Sequence, residues 1–326
     1  MGSYSSVTTM AHRLSTSRTL RVLVPVLYVA ATLALLVLLG IPYQRDILAV
    51  WVILGLVCFS LADLRGSVRG IVLELLPFIA ILIAYDSLRG SAGRLFAVHY
   101  LPQLDADRWL FGGWTPTVWL QHRLWHGHVV WYDVVVWCVY LTHFFATPVV
   151  AALLWKFDRA RFRVFAVFVA TLSLMGLATY ALFAAAPPWM AAQAHLTAPI
   201  TRIIPLVMAS VGTQSAGSLI EHGYAYANNV AAVPSLHTAF ALLIAMTLWP
   251  ITPRRLRPLV ALYPLAMGFT LVYTGEHYVF DVLSGWVYTA AAVLAGRALV
   301  RWWSARRAVS AASGERGYVG AEAGPS

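Results

Sequence analysis

Apolar residues in this chain come in runs near twenty, separated by short basic connections or long aromatic ones. A helix of that length crosses the roughly 30 Å hydrocarbon core of a bilayer. Eight such runs lie near 20–41, 47–63, 70–86, 129–154, 164–185, 232–250, 258–274 and 279–300, the second being the shortest. The pattern predicts an all-α polytopic membrane protein. Two long connections, roughly 87–128 and 186–231, interrupt it. The first mixes Trp109, Phe111, Trp114, Trp119 and Trp125 with prolines and charges, as segments lying on a bilayer surface do.

Both ends lack apolar periodicity. Residues 1–18 are rich in Ser and Thr, residues 308–326 in Ala, Gly and Ser, and 1–18 and 304–326 are expected to be disordered cytoplasmic tails. The run from Val22 to Ile41 follows Arg13, Arg18 and Arg21. It is too long for the apolar region of a signal peptide, and no small-x-small cleavage pattern follows. A retained first span is expected, with 19–69 holding two N-terminal spans.

Composition agrees with the pattern. The chain is 60% hydrophobic and 11% charged with a net charge of +10, where soluble domains carry about 25% charged residues. The positive charge reads as membrane topology and contact with anionic lipid. No basic patch with a reading element is visible, so nucleic acid is excluded as a partner. Cys58 and Cys138 sit inside apolar runs without metal-ligand spacing and read as two buried, unreactive thiols.

The basic residues set a topology. With the N-terminus inside, seventeen of the 23 Lys and Arg fall in inside segments. Only Arg45, Arg89, Arg94, Arg108, Arg123 and Arg202 fall outside. This positive-inside bias predicts cytoplasmic termini and an even number of spans. It also puts three separated polar groups on one outer face: Asp86 and Arg89, Pro234 to His237, and His277 with Asp281.

On a helix, His277 and Asp281 share one face. The carboxylate can hold one imidazole nitrogen and leave the other for a substrate, as for a catalytic base or a histidine nucleophile. The same pair would also serve as a structural bond closing a helical turn. In Pro234-Ser235-Leu236-His237, proline suits a first turn, serine can cap, and the N–H groups of a helix N-terminus bind anions. His237 could donate a proton to a leaving oxygen. An ordinary N-cap followed by an interfacial histidine fits the same residues.

Taken together, these residues resemble the type 2 phosphatidic acid phosphatase superfamily. Pro-Ser-Leu-His at 234–237 is similar to its second motif, and His-x-x-x-Asp at 277–281 to its third. Thr274-Gly275-Glu276-His277-Tyr278 with Gly285, and Tyr140-Leu141-Thr142-His143-Phe144 with Pro148, look closest to the branch that includes inositol phosphorylceramide synthases. The resemblance implies a six-helix core behind two extra N-terminal spans, with 70–303 as the catalytic membrane domain. It implies His277 as the nucleophile forming a phosphohistidine, Asp281 as its orienter, His237 as the acid and Ser235 as a phosphate ligand. No metal or other cofactor is implied, since histidines and backbone N–H groups stabilise the charge.

The chain departs from the family pattern where basic residues should be. The usual Lys and Arg-Pro of the first motif are missing, and Leu271 stands where the third motif has arginine. A transferring phosphoryl group needs cationic partners. Arg89, in Asp86-Ser87-Leu88-Arg89-Gly90, is the substitute candidate, with Arg202 and Arg123 as others. Asp86 and Tyr278 complete the substrate-binding set. Gln121, His122, Arg123, His126 and His128 form a cluster that suits headgroup contact better than metal binding. His143, inside a span, suits either a functional group or a packing histidine.

The expected protein is therefore an integral cell-membrane enzyme that hydrolyses or transfers a lipid-linked phosphate at the extracytoplasmic face. Its partners are a lipid phosphate and membrane lipids; nothing points to a protein partner. A head-group transferase is the alternative within that chemistry. A transporter or silent scaffold is the alternative outside it, and no polar residues stand at matching mid-span positions of two halves to support it.

Overall fold

The computed structural model describes the backbone of residues 4–39, 45–89, 96–211 and 229–321. The described chain is helical almost throughout, and each apolar run carries a helix. α1 spans Tyr4–Leu39 and α2 spans Arg45–Cys58. α3 (Leu64–Gly70) runs through a π-helical turn (Ile71–Leu75) into α4 (Leu76–Arg89). Two short helices, α5 (Leu101–Leu110) and α6 (Pro116–Leu124), fill the first long connection. α7 (Trp131–Phe157) and α8 (Arg159–Leu182) follow, joined by Asp158 alone. α9 (Pro188–Gln193) and α10 (Ile203–Ser210) lie in the second long connection. The chain ends with α11 (Leu236–Leu248), α12 (Arg257–Tyr273) and α13 (Val279–Ala321).

Among the described residues six helices are long and apolar enough to cross a membrane: Arg18–Leu35, Gly66–Tyr85, Trp131–Phe157, Arg159–Leu182, Arg254–Tyr273 and Val279–Arg306. The other two expected spans are shorter helices, Ile47–Cys58 and Leu236–Leu248. At 1.5 Å per residue α11 is roughly 20 Å long, well under the thickness of the hydrocarbon core. Its apolar run is longer than its helix because the chain bends at Val233 and Pro234 and is extended at Ser235, so helix begins only at Leu236. Helix also runs from Tyr4 in α1 and to Ala321 in α13, through stretches whose composition reads as unstructured tails.

α11 is the centre of the bundle. It packs against α7, α8, α12 and α13. Leu236, Ala239, Phe240, Leu243 and Ile244 on one face and Thr238, Ala241 and Ala245 on the other are all buried, so most of its length is enclosed on every side. Trp155, Phe162, Phe165, Leu172 and Phe78 extend the same core toward α4 and α8. The outer surface is apolar as well, with Leu33, Leu174, Val287 and Leu294 each at least 60% exposed. That surface suits lipid, not water. Cys138 belongs to it; the thiol is free and exposed on α7 rather than buried, and Cys58 is half-buried.

The N-terminal helices are tied on by polar contacts at apolar surfaces. The Tyr28 hydroxyl donates to the Trp51 carbonyl at 2.8 Å, and Trp51 Nε1 donates to Thr32 Oγ1 at 3.1 Å. Lys156, at the end of α7, donates to Ser60 Oγ at 2.7 Å, and Arg159 pairs with Glu74. These basic groups stand at one end of the bundle. The start of α7, the end of α12 and the start of α13 meet at the other, where the Tyr273 hydroxyl donates to Asp133 Oδ1 at 2.7 Å.

Candidate active site

The turn between α12 and α13 delivers His277. α12 ends in a Schellman cap: Glu276 N–H donates to the Leu271 carbonyl at 3.0 Å and Gly275 N–H to the Val272 carbonyl at 3.3 Å. The residue after the cap must adopt the left-handed region, and Gly275 does so at φ +80°. A side chain there would also meet Ile200 at 2.9 Å. The Thr274-Gly275-Glu276-His277 wording is thus the stop signal of one helix, and the chain has turned toward the next by Tyr278.

Asp281 then closes that turn from the first turn of α13. Its Oδ2 lies 3.3 Å from His277 Nδ1 and accepts the Tyr278 N–H at 2.9 Å. Both side chains are buried. With Nδ1 held by the carboxylate, Nε2 is the nitrogen left for chemistry. Asp281 also joins the two motifs, because its main-chain carbonyl accepts the Ser235 N–H at 3.0 Å.

Ser235 precedes α11 in extended conformation, and its side chain makes no capping bond. Its hydroxyl is fully buried and finds no hydrogen-bond partner among the described residues. The Asp281 Oδ1 and Tyr278 hydroxyl are in the same condition. Unpartnered polar atoms in an interior are costly, and each of these can bond a polar ligand. Burial, with the Asp281 and Asp107 charges behind it, pushes the Tyr278 phenol well above its usual range, so it stays protonated.

His237, in the first turn of α11, faces His277 with ring centroids 5.5 Å apart. On its other side the His143 ring lies 3.9 Å away and the Tyr140 ring stacks at 5.4 Å. Tyr140 and His143 are three apart on α7 and so present one face. Three imidazoles, from α7, α11 and the turn before α13, thus follow one another, with Asp281 beside His277. Sequence reading left His143 open between function and packing; the tertiary fold puts it against His237.

Three residues position these groups without having been singled out for it. Asp107 on α5 accepts the Phe280 N–H at 2.8 Å and the Val279 N–H at 3.1 Å, capping α13 from a different helix. Burial pushes its carboxyl up to about 6, against the pull of those two bonds, with the Asp281 charge adding to the rise. Tyr180 donates to the Pro234 carbonyl at 2.6 Å and fixes the entry to α11. Gln121 brackets the end of α12, donating to the carbonyls of Thr201 at 2.8 Å and Tyr273 at 2.9 Å. No local signal marks these roles, because each partner lies more than fifty residues away.

The remaining sequence candidates separate. Arg202 forms a two-point ion pair with Glu276, at 2.8 Å through Nε and 3.1 Å through Nη2, and lies over the Trp189 ring. Its fork grips the residue beside His277. The side chains of Asp86 and Arg89 lie outside the described residues. Arg123 lies over the Trp119 ring at 3.9 Å, and the His126 and His128 rings are 6.4 Å apart. Among the described residues no group of three or more His, Cys, Asp or Glu is placed to hold a metal ion.

Residues 103–295 match the family model described as the PAP2 superfamily. The matched stretch holds Asp107, His143, Ser235, His237, His277 and Asp281, and begins after Arg89. No curated protein and no solved structure matches the chain.

Proposed function

The chain belongs to the PAP2 superfamily, and from that premise we propose that it is a membrane lipid phosphatase or phosphotransferase working through a phosphohistidine on His277. The observation that carries the reading is the Asp281–His277–His237 arrangement: one imidazole is held at Nδ1 by a buried carboxylate, and a second faces it at 5.5 Å.

His277 Nε2 attacks phosphorus. The bond from phosphorus to the leaving oxygen breaks, and protonated His237 gives its proton to that oxygen. His237, now neutral, takes a proton from the second nucleophile, which attacks phosphorus and breaks the P–N bond. Water as that nucleophile gives a phosphatase; an alcohol gives a transferase. Ser235 Oγ and the first-turn N–H groups of α11 bind the phosphate oxygens, with Tyr278 as a neutral donor beside them. Asp281 keeps the His277 ring oriented and stabilises its charged form. We assign Arg202 to bracing the turn before His277. Arg89 remains the proposed cation for phosphate.

The transferase reading has one observation of its own. Tyr140 and His143, whose motif resembles the inositol phosphorylceramide synthase branch, pack directly on His237. On this reading the site opens to the extracytoplasmic face, which the charge bias of the connections supports.

The test uses purified protein with phosphatidic acid, a prenyl pyrophosphate and a phosphoinositide as substrates, with and without inositol. Turnover should fall by about 100-fold or more in His277→Gln and His237→Ala. Wild-type turnover matched by both variants would sink the mechanism. Acceptor-dependent product marks a transferase, and phosphate release indifferent to acceptor marks a phosphatase.

A further inference from the structure

The α5–α6 segment carries chemistry that the phosphoryl-transfer site does not use. Arg108, His122 and Arg123 line a cavity of about 400 Å³, closed by Trp114 and Trp119 and with no Asp or Glu in its lining. The same two tryptophans line a second, larger space of about 600 Å³, whose far wall is Leu265 and Phe269 of α12 with Leu283 and Trp286 of α13. Both volumes are in the range of small-molecule sites.

The two spaces differ in chemistry. The first is basic. The Arg123 guanidinium carbon lies over the Trp119 ring at 3.9 Å, which holds the head group in place and leaves N–H donors for an acceptor. Arg108 donates one N–H to the Leu196 carbonyl at 3.1 Å and another to exposed Asp105 at 3.4 Å, and keeps further donors. The second space is apolar on every side. Its wall belongs to Arg254–Tyr273 and Val279–Arg306, two of the helices able to cross a membrane. It is an open trough, with Trp114, Leu265 and Phe269 exposed. A cationic cup joined at one tryptophan pair to an apolar trough along two spans matches one kind of molecule.

We propose that this composite surface binds an anionic phospholipid of the bilayer, its phosphate in the cup of Arg108, His122 and Arg123 and one acyl chain in the trough beside Trp114 and Trp119. The site is separate from His277, and the lipid there is held, not turned over. Charge complementarity selects the headgroup, and the trough selects a lipid over a soluble phosphate. The proposal gives a role to His122 and Arg123, which the phosphoryl-transfer mechanism leaves idle.

The experiment uses the full chain, purified in detergent and stripped of lipid. Native mass spectrometry counts retained phosphatidylglycerol, phosphatidylcholine or inorganic phosphate, and thermal melting follows each addition. Wild type should retain phosphatidylglycerol over phosphatidylcholine and melt higher with it. Arg108→Gln with Arg123→Gln should cut that preference by about fivefold or more. Leu265→Trp, which fills the trough and leaves every charge in place, should weaken lipid retention without touching phosphate binding. Equal retention of both lipids by wild type overturns the proposal, as does a double variant with unchanged preference. Phosphate binding as tightly as the lipid, with Leu265→Trp inert, overturns the acyl part. Helical circular dichroism and lipid-free melting identify any variant that fails to fold, and the Leu265→Trp arm then decides alone.

Discussion

Gly285 on α13 lies so close to the start of α11 that a Cβ there would stand 2.3 Å from the Ser235 carbonyl oxygen and 2.7 Å from Thr238 Oγ1. This contact sets the distance between the two histidine motifs. Thr238 Oγ1 on α11 donates to the Val282 carbonyl at 3.4 Å, and Thr289 Oγ1 on α13 donates to the Ala239 carbonyl at 3.0 Å, so the helices are fastened on both sides of the glycine. Gly285→Ala should force them apart, destabilising the fold by about 1–3 kcal/mol. Turnover should drop further than stability explains, because His237 and His277 separate. The check is turnover at a temperature where both proteins remain folded; wild-type activity there would contradict the role assigned to the contact.

His143→Phe keeps a ring against His237 and removes the nitrogens. If His143 helps place or charge His237, kcat should fall about tenfold or more with KM little changed, since acid catalysis depends on correct geometry and protonation. The alkaline limb of the pH–rate profile should move as well. Tyr140→Leu, which strips the ring stacked on His237, should move that limb too. Unshifted profiles in both variants would make the α7 face mere packing.

Glu276→Gln breaks a half-buried ion pair and leaves the Arg202 fork poorly matched. A cost of about 1–3 kcal/mol is expected, as for an unsatisfied group. Activity should fall with it, since Glu276 is the last residue before His277. The double variant Glu276→Gln with Arg202→Gln should recover part of the stability. Additive losses in a thermal melt would show that the pair is not coupled.

Asp107 gives a pH dependence with a definite sign. Its carboxyl is raised in the folded state from 3.8 to about 6, so the folded protein holds that proton more tightly than the unfolded chain. The corresponding stability is fully present below the ordinary carboxylate value and is lost as pH rises through about 6. Asp107→Asn cannot titrate. It should therefore gain on wild type as pH rises from about 4 to about 7. Asp107→Ala should be less stable than wild type throughout, because two buried N–H groups at the start of α13 lose their acceptor. A constant gap between wild type and Asp107→Asn across that range would refute the shift.

The order of helices and both histidine motifs were legible in the sequence because they depend on local rules. A run of apolar residues reports its own length, and Thr274-Gly275 reports a helix end. The spacing of His277 and Asp281 reports their pairing, although His277 lies in the turn before α13 and not on its face. The length of α11 was less legible. An apolar run continues through Val233 and Pro234, but backbone pairing of their neighbours with distant segments (Ala232 N–H to the Ala185 carbonyl, Ser235 N–H to the Asp281 carbonyl) keeps them out of helix.

By itself the sequence determined that this is a helical membrane protein, which family's motifs it carries, and which histidine has a carboxylate partner. Only the tertiary structure decided what surrounds those motifs. It set His143 against His237, made Asp107 the cap of the helix that bears Asp281, and gave Arg202 to Glu276. The physical reason is the range of each interaction. Helix periodicity and caps act over three or four residues and leave a trace in the order of the chain. A buried carboxylate caps a helix 172 residues away in sequence through geometry alone, and no local pattern records it.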